Sequence, residues 1–177
     1  DALQVHRLVT RYAGKKSRSS AVSFLSFEAA SDAMNRTLVL ARKAAHNQLP
    51  VLIEGEFGVG KLRFASAIHH ASDRASKPFI IVQCDALDRG DLDRELFGKG
   101  QDIGALQRAT GGTILISEVS KLSSRSQEKL LSIIEDNLSA VDRKADFDRQ
   151  ARIIATTSED LVDAVRGNRF REDLYYL

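Results

Sequence analysis

Short aliphatic runs alternate with amphipathic segments along most of the chain, and this alternation predicts its secondary structure. Four runs of aliphatic and β-branched residues predict buried strands. Between them, apolar residues three and four positions apart predict helices. Strands separated by helices pair in parallel through right-handed crossovers, with helices on both faces of the sheet, so the pattern predicts a three-layer α/β fold. The predicted strands are LPVLIEG (49–55), PFIIVQC (78–84), GTILIS (112–117) and ARIIATT (151–157), and the predicted helices cover 34–45, 62–72 and 123–138.

Residues 1–20 have a different pattern from the rest and are predicted to be a linker. Residues 1–12 place apolar side chains at alternating steps of three and four, which predicts a short helix that either packs on the domain or dimerises. The small, polar and basic stretch AGKKSRSSA that follows is typical of a flexible connector. Residues 21–177 are then predicted to form one α/β domain. Within it, Ser124 and Gln127 have capping-box spacing at the start of the last predicted helix.

Composition narrows the class of protein. The chain has 177 residues, which suits a single domain, and its 26 Lys and Arg nearly balance its 24 Asp and Glu. The charge therefore gives no bulk electrostatic case for nucleic-acid binding by this segment. A single cysteine, Cys84, excludes an internal disulfide, and no apolar run approaches the roughly 18 residues of a membrane span. We expect a reducing, cytoplasmic setting and no membrane partner.

A glycine-rich motif follows the first predicted strand. The stretch GEFGVGKL (55–62) matches G-x-x-x-x-G-K, in which backbone N–H groups surround phosphate oxygens and the lysine reaches the terminal phosphates. Leu62 stands where the motif usually has a magnesium-binding serine or threonine. A glycine turn before a helix is the plain alternative, and the flanking strand and helix argue against it. The predicted nucleotide-binding residues are Gly55, Glu56, Phe57, Gly58, Val59, Gly60, Lys61 and Leu62.

The third predicted strand ends in a second candidate for nucleotide chemistry. In nucleotide-hydrolysing enzymes such a strand is expected to end in Asp-Glu, the first carboxylate helping to hold magnesium and the second activating water. In ILISEV (114–119) the corresponding residues are Ser117 and Glu118. The segment is therefore either an ordinary core strand with a polar end or an ATPase strand that has lost one carboxylate.

Seven motifs in sequence order resemble one family. The chain is similar, from about residue 24 to residue 177, to the central AAA+ ATPase domain of the bacterial enhancer-binding proteins, the NtrC-like activators of sigma-54 RNA polymerase. The resemblance implies a P-loop AAA+ core with a mostly parallel sheet, truncated before the fifth strand and the helical lid, and ATP or ADP with magnesium as its ligand. The motifs are GEFGVGK, IHHASDRASKPFIIVQCDAL, ELFG, ATGGTILISEV, SQEKLLSIIED, RIIATTSEDL and FREDLYY.

The resemblance also implies roles for individual residues. Glu118 would polarise the attacking water, and Ser117 occupies the magnesium-orienting position, where a neutral hydroxyl holds a hard cation less well than a carboxylate. Ser158 stands at the sensor position, where the family usually has asparagine. Arg171 matches the first of two arginine fingers that complete a neighbouring subunit's site. The departure from serine or threonine at Leu62 is by itself weak evidence about the site, because the family's P-loop lysine is commonly followed by glutamate.

One family element is missing from the sequence. Active members follow ELFG with a long loop containing GAFTGA, which touches sigma-54. Here only KGQD (99–102) separates ELFG from IGALQRATGG, so we interpret the loop as deleted. Surface loops tolerate changes of length, and we expect the fold to survive without the function tied to that loop.

Taken together, the residues and the resemblance predict a transcriptional regulator of response-regulator type that is degenerate for ATP hydrolysis and sigma-54 contact. The implied partners are other copies of the chain, as a dimer or ring, and DNA through a helix-turn-helix domain outside this segment. RNA polymerase could be contacted only by another route. Two alternatives stay open: an active AAA+ ATPase that remodels a different partner, and a structural module that binds no nucleotide.

Overall fold

The computed structural model describes residues 23–27, 31–140 and 150–177, so the predicted linker of residues 1–20 lies outside the described part. A 3-10 helix (Phe24–Phe27) precedes the first α-helix, and another (Val119–Lys121) follows the third strand. The strands are β1 (Val51–Glu54), β2 (Phe79–Gln83), β3 (Thr113–Ser117) and β4 (Arg152–Thr157). The α-helices are α1 (Asp32–Ala45), α2 (Lys61–His70), α3 (Arg89–Phe97), α4 (Ala105–Arg108), α5 (Ser124–Ala140), α6 (Leu161–Arg166) and α7 (Glu172–Tyr175).

The four strands form one parallel sheet in the order β1-β4-β3-β2. All three pairings are in register at their carboxyl ends: Ser117 lies beside Gln83 on one side and Thr156 on the other, and Glu54 lies beside Thr157. Parallel strands need crossover connections, which the helices supply. The predicted α/β fold and parallel pairing are confirmed.

Helices cover both faces of the sheet, as the continuous aliphatic strands require. On one face, α1 and α2 pack through Leu38, Phe64 and Ile68 against Leu115 and Ile154. The opposite face packs against helices α3 to α6, and the alternation of side chains along β3 divides its residues between the two cores. Every residue of β3 is buried, which is the burial expected of a central strand in a three-layer structure. Among the described residues, no helix is long and apolar enough to cross a membrane.

The start of α5 differs from the capping-box prediction. Ser123, not Ser124, caps the helix, because its Oγ accepts a hydrogen bond from the Ser126 N–H at 3.1 Å. The Gln127 side chain reaches back to the Leu122 carbonyl, one residue before the cap, to which its Nε2 donates at 2.9 Å; this is not the N–H contact of a capping box. The side chain is 1% exposed and reaches into the protein, where tertiary partners for its amide outweigh local capping.

The segment after α3 is a closed turn. The N–H of Lys99 donates to the Asp102 carbonyl at 3.2 Å, and the N–H of Asp102 donates to the Lys99 carbonyl at 3.0 Å. Gly98 and Gly100 have φ of 77° and 63°, in the left-handed region that favours glycine. The KGQD residues therefore make one tight reversal that leads directly from α3 towards α4.

Candidate nucleotide-binding site

The candidate site lies at the carboxyl edge of the sheet, where three predicted site segments meet. Gly55 follows β1, Glu118 follows β3 and Ser158 follows β4. Because the strands are parallel and in register, their ends bring together residues that lie about 40 to 100 positions apart in the sequence. A hydrogen bond from the Gly55 N–H to the Thr157 carbonyl, 3.2 Å long, ties the first loop to β4. Ligands of open α/β sheets bind at this edge, where helices depart to opposite faces.

The P-loop has the backbone that phosphate binding needs. Gly58 and Gly60 have φ of 83° and 92°, and Gly60 is the residue that leads into α2. Positive φ at both positions turns the backbone so that successive N–H groups can face one ligand, and the N-terminus of α2 adds its dipole. Leu62 is half-buried and packs against the core beneath α1 and α2. Phe57 is 85% exposed, so its ring contributes little to the stability of the loop.

Lys61 is buried at the centre of the site. Its Nζ donates to the carbonyl oxygens of Gly55 at 2.7 Å and Glu56 at 3.0 Å, both within the P-loop itself. It also lies 3.6 Å from Glu118 Oε1, and both side chains are nearly inaccessible to solvent. Lys61 therefore places a positive charge under the P-loop, and a phosphate bound there would compete with these oxygens for its protons.

Glu118 has an unusual backbone and a fully engaged side chain. Its φ and ψ are 56° and 54°, a left-handed conformation that is uncommon for a residue other than glycine and costs of order 1 kcal/mol or more. Its Oε2 accepts hydrogen bonds from the Ser158 N–H at 2.9 Å and the Ser158 hydroxyl at 2.7 Å. The structure thus brings the two residues at the predicted water-activating and sensor positions into direct contact.

Ser117 is buried and offers little to a divalent cation. Its Oγ accepts a hydrogen bond from the Thr156 hydroxyl at 3.4 Å, so it faces β4 at the end of the strand. Magnesium prefers carboxylate oxygens and several ligands in octahedral geometry. Within 31–140 and 150–177, no group of three or more His, Cys, Asp or Glu side chains could hold a metal ion. Ser117 therefore contributes a neutral oxygen, and not a carboxylate, to the end of β3.

Arg171 lies at the start of α7, apart from this cluster. Its guanidinium pairs with Asp173 through two hydrogen bonds of 3.0 and 2.6 Å, and its side chain is 40% exposed. None of the hydrogen bonds or ion pairs found among the described residues joins it to Lys61, Glu118 or Ser158. An exposed position away from the chain's own P-loop is compatible with a residue that acts on a neighbouring molecule.

Gln127 is a buried residue near Arg171 whose contacts were missed in the sequence. Its Nε2 donates to the Leu122 carbonyl at 2.9 Å and the Arg169 carbonyl at 3.0 Å, and its Oε1 accepts from the Arg171 N–H at 2.9 Å. It thus fixes the backbone on both sides of Phe170 to the first turn of α5. The only signal in the sequence was a glutamine near a helix start, and two of its three partners, the Arg169 carbonyl and the Arg171 N–H, lie more than 40 residues away.

His69 and Cys84 belong to the core and not to the site. The His69 ring stacks on Phe79 and hydrogen-bonds with the Thr113 hydroxyl at 2.9 Å. Burial, followed by the positive charges of His70, Arg152 and Arg74, lowers the pKa of His69 to about 4. Burial also raises the pKa of the Cys84 thiol to about 12, which keeps it protonated and unreactive near neutral pH.

Comparison with known proteins places this geometry in a family. The model of the sigma-54 interaction domain matches residues 27–177. The chain belongs to this family. It is 36% identical to the transcriptional activator RocR of Bacillus subtilis over 185 aligned residues, which cover 99% of this chain and 40% of RocR. It is 41% identical over 153 residues to the transcriptional regulatory protein GlrR of Escherichia coli, covering 81% of this chain and 34% of GlrR.

A solved structure agrees with the sequence relatives. The crystal structure of NtrX from Brucella abortus in complex with ATP superposes with a TM-score of 0.74 at 31% identity, covering 84% of this chain and 34% of that one. The sigma-54 interaction domain of this chain is therefore a P-loop AAA+ core. The chain spans less than half the length of each of these three proteins.

Proposed function

We propose that this chain is the nucleotide-binding domain of a bacterial transcriptional regulator, of response-regulator type, that binds ATP or ADP but hydrolyses it slowly or not at all. The observation that carries the proposal is the contrast within the site. The glycines and the buried lysine of the P-loop are in place, whereas β3 ends in Ser117 where hydrolysing enzymes have a carboxylate. Nucleotide binding depends mainly on the P-loop, whereas hydrolysis depends on the P-loop and on the residues that end β3.

The support for nucleotide binding comes from the P-loop and the start of α2. An anion site that would cradle the β- and γ-phosphates is formed by three features of the P-loop. They are the positive φ of Gly58 and Gly60, the N-terminus of α2 and the charge of Lys61. Magnesium, when bound with the nucleotide, supplies charge neutralisation for the phosphates. The relative NtrX was solved with ATP, which makes a nucleotide the first ligand to test here.

The support for impaired hydrolysis is the state of Glu118 and Ser117. Glu118 can accept a proton from water, but its Oε2 already accepts two hydrogen bonds from Ser158 and its Oε1 lies beside Lys61. Ser117 presents a neutral oxygen turned to Thr156. A loss of a few kcal/mol in transition-state stabilisation would slow turnover about a hundredfold or more, because each ~1.4 kcal/mol is a factor of ten.

The proposal also covers the partners of this chain, which are a second copy of the chain and DNA. Arg171, at an exposed helix start, would complete the site of a second copy of the chain in a dimer or ring. DNA would be bound by a domain outside this segment. The Lys99–Asp102 turn is closed by two hydrogen bonds, so sigma-54 would not be contacted by a projecting loop at this position. Any effect on transcription would then use another surface.

Three proteins test the nucleotide part of the proposal: wild type, Lys61→Ala and Ser117→Asp, each in the intact regulator. Calorimetry should detect ATP or ADP binding to wild type and Ser117→Asp, and none to Lys61→Ala. Phosphate release should be absent or slow in wild type and faster in Ser117→Asp. Lack of binding heat in wild type at millimolar nucleotide would instead identify a structural module.

A second candidate function is an active ATPase that remodels a different partner, and the presence of a carboxylate, Glu118, after β3 and beside Lys61 favours it. Wild-type phosphate release as fast as that of an active activator from the same family would select this candidate. It would also show that Ser117 does not limit the reaction.

A further inference from the structure

The P-loop carries an aromatic ring that is open to solvent. Phe57 is 85% exposed, the largest value among the large apolar side chains of the described residues, and Val59 is 58% exposed. Gly58 lies between them with a φ of 83°, so the two exposed side chains flank a turn of the loop. A phenyl ring gains free energy when it leaves water, and the described part of its own chain does not cover Phe57.

A surface cavity of about 220 Å³ opens beside Arg171. It lies between the start of α5, the end of α6 and the start of α7, and its lining includes the apolar residues Val165 and Phe170 and the arginines Arg169 and Arg171. The buried Gln127 side chain holds the backbone of Arg169 and Arg171 by hydrogen bonds of 3.0 and 2.9 Å. The wall of the cavity is therefore fixed to the core.

The positive charges around this cavity are already paired. The Arg171 guanidinium donates to Asp173 at 3.0 and 2.6 Å, and the Arg169 guanidinium donates to Glu159 at 2.8 Å. Glu172 also lines the cavity, so an anionic ligand would meet little net attraction. Guanidinium N–H groups donate in the plane of the group, so these hydrogen bonds do not use its faces, which are the parts that stack on aromatic rings.

We infer that Phe57 of one copy of the chain inserts into the cavity beside Arg171 of a second copy. The cavity combines apolar side chains with guanidinium groups, and an aromatic ring can contact both favourably. The inference rests on the proposed function, because an Arg171 that reaches the nucleotide site of a second copy lies beside that copy's P-loop. The exposed ring of that loop is Phe57.

The ring and the cavity belong to different surfaces of the chain. The P-loop leads into α2, which packs on one face of the sheet, whereas Val165 and Phe170 pack in the core on the other face. A contact between unlike surfaces is heterologous, since each copy offers its ring to one neighbour and its cavity to another. Such a contact generates a ring of copies, or a filament where the rotation does not close, and not a two-fold dimer.

Cysteine cross-linking in the intact regulator tests the contact directly. Val59→Cys places a thiol beside Phe57, and Ser124→Cys places one at the cavity, in the first turn of α5. Under mild oxidation, a mixture of the two variants should form a disulfide-linked dimer, whereas either variant alone should not. Cys84 is buried, and each variant alone measures the background from other thiols.

Sedimentation equilibrium of the intact regulator measures what the ring contributes. Phe57→Ser should raise the dissociation constant of self-association about tenfold or more, because a buried phenyl ring is replaced by a small polar group. Phe57→Tyr keeps a ring that stacks on a guanidinium group and should restore association. Leu40→Ser, at a 66% exposed position on α1, is the control and should leave the dissociation constant unchanged.

Equal dissociation constants for wild type and Phe57→Ser, or no cross-link in the mixture, would overturn the inference. A disulfide formed by Val59→Cys alone would overturn it in favour of a two-fold contact between P-loops. Weaker nucleotide binding by Phe57→Ser in calorimetry, with unchanged self-association, would overturn it in favour of a contact between the ring and the nucleotide. The mixed cross-link in a protein that binds no ATP or ADP would support the contact between copies and contradict only the nucleotide-binding part of the proposed function.

Discussion

The Oε2 atom of Glu118 accepts two hydrogen bonds from Ser158, one from its N–H at 2.9 Å and one from its hydroxyl at 2.7 Å. The other oxygen lies 3.6 Å from the Nζ of Lys61. One carboxylate thus connects the ends of β3 and β4 with the start of α2. A phosphate that draws Lys61 towards itself would leave Glu118 held by Ser158 alone, which couples the P-loop to β4 through a single side chain.

The first prediction concerns this contact. Ser158→Ala removes the hydroxyl donor and leaves the N–H donor, so the free energy of unfolding should fall by about 1 kcal/mol, the usual net value of one hydrogen bond. The same change at Ser132, which is exposed on α5, is the control and should have an effect within about 0.5 kcal/mol. Urea denaturation monitored by circular dichroism measures both. Equal effects of the two substitutions would show that the hydroxyl does not stabilise Glu118.

The second prediction concerns pH and His69. Its pKa is lowered from 6.5 to about 4 in the folded protein, so the unfolded chain binds the proton more readily between these values. The free energy of unfolding should therefore fall as the pH decreases from about 6.5 to 4, by up to about 3 kcal/mol from this group. Above pH 7 the group should contribute no pH dependence.

A variant of His69 measures this contribution by difference, since carboxylates also titrate at acid pH. His69→Phe should flatten the fall in stability between pH 6.5 and 4, even if the variant is less stable at pH 7. Ser132→Ala, which removes no titratable group, is the control and should keep the slope of wild type. A slope unchanged by His69→Phe would mean that His69 is protonated in the folded protein without penalty.

The third prediction concerns the support of Arg171. Gln127→Leu removes three hydrogen bonds and leaves the Leu122 and Arg169 carbonyls and the Arg171 N–H to find other partners. Each buried polar group left unpaired costs about 1–3 kcal/mol, so the free energy of unfolding should fall by about 3 kcal/mol or more. Amide hydrogen exchange at Arg171 should also become faster. Gln107→Leu, at an exposed position on α4, is the control, and protection of the Arg171 amide that survives Gln127→Leu would refute the positioning role.

The sequence predicted the secondary structure best for segments that are buried along their whole length. All four predicted strands are confirmed to within two residues at each end, because a parallel strand covered on both faces is a run of aliphatic residues. Helices α3, α4, α6 and α7 gave no comparable signal. They have four to nine residues, and α3 buries only Leu92 and Leu96, too few for a helical period to be visible. Such short helices form because tertiary contacts fix them.

The site was predictable only in part, for a related reason. The glycine and lysine spacing of the P-loop is local and could be read directly. The contacts of Ser117 with Thr156 and of Glu118 with Ser158 join residues about 40 positions apart, and the left-handed backbone of Glu118 has no local sequence signal. The capping-box prediction at Ser124 was wrong for the same reason, because Gln127 has tertiary partners that a local pattern does not contain.

The last prediction concerns the closed turn after α3, and it compares two glycines. A Cβ atom on Gly98 would overlap the Asp102 carbonyl oxygen and approach the Gly104 N–H, and neither backbone group can move without opening the turn. A Cβ atom on Gly100 would meet nothing within 4 Å, although its φ is also positive. Gly100→Ala should therefore cost only the conformational penalty of about 1–2 kcal/mol.

Gly98→Ala should cost clearly more than Gly100→Ala in the free energy of unfolding, because the overlap with backbone adds to the same penalty. The difference between the two variants isolates the overlap, since both place alanine at positive φ. It should be accompanied by faster amide exchange at Lys99 and Asp102, whose N–H groups close the turn. Equal destabilisation by the two variants would mean that the segment does not form this closed turn in solution. The physical reason for expecting no loop contact with sigma-54 would then be lost as well.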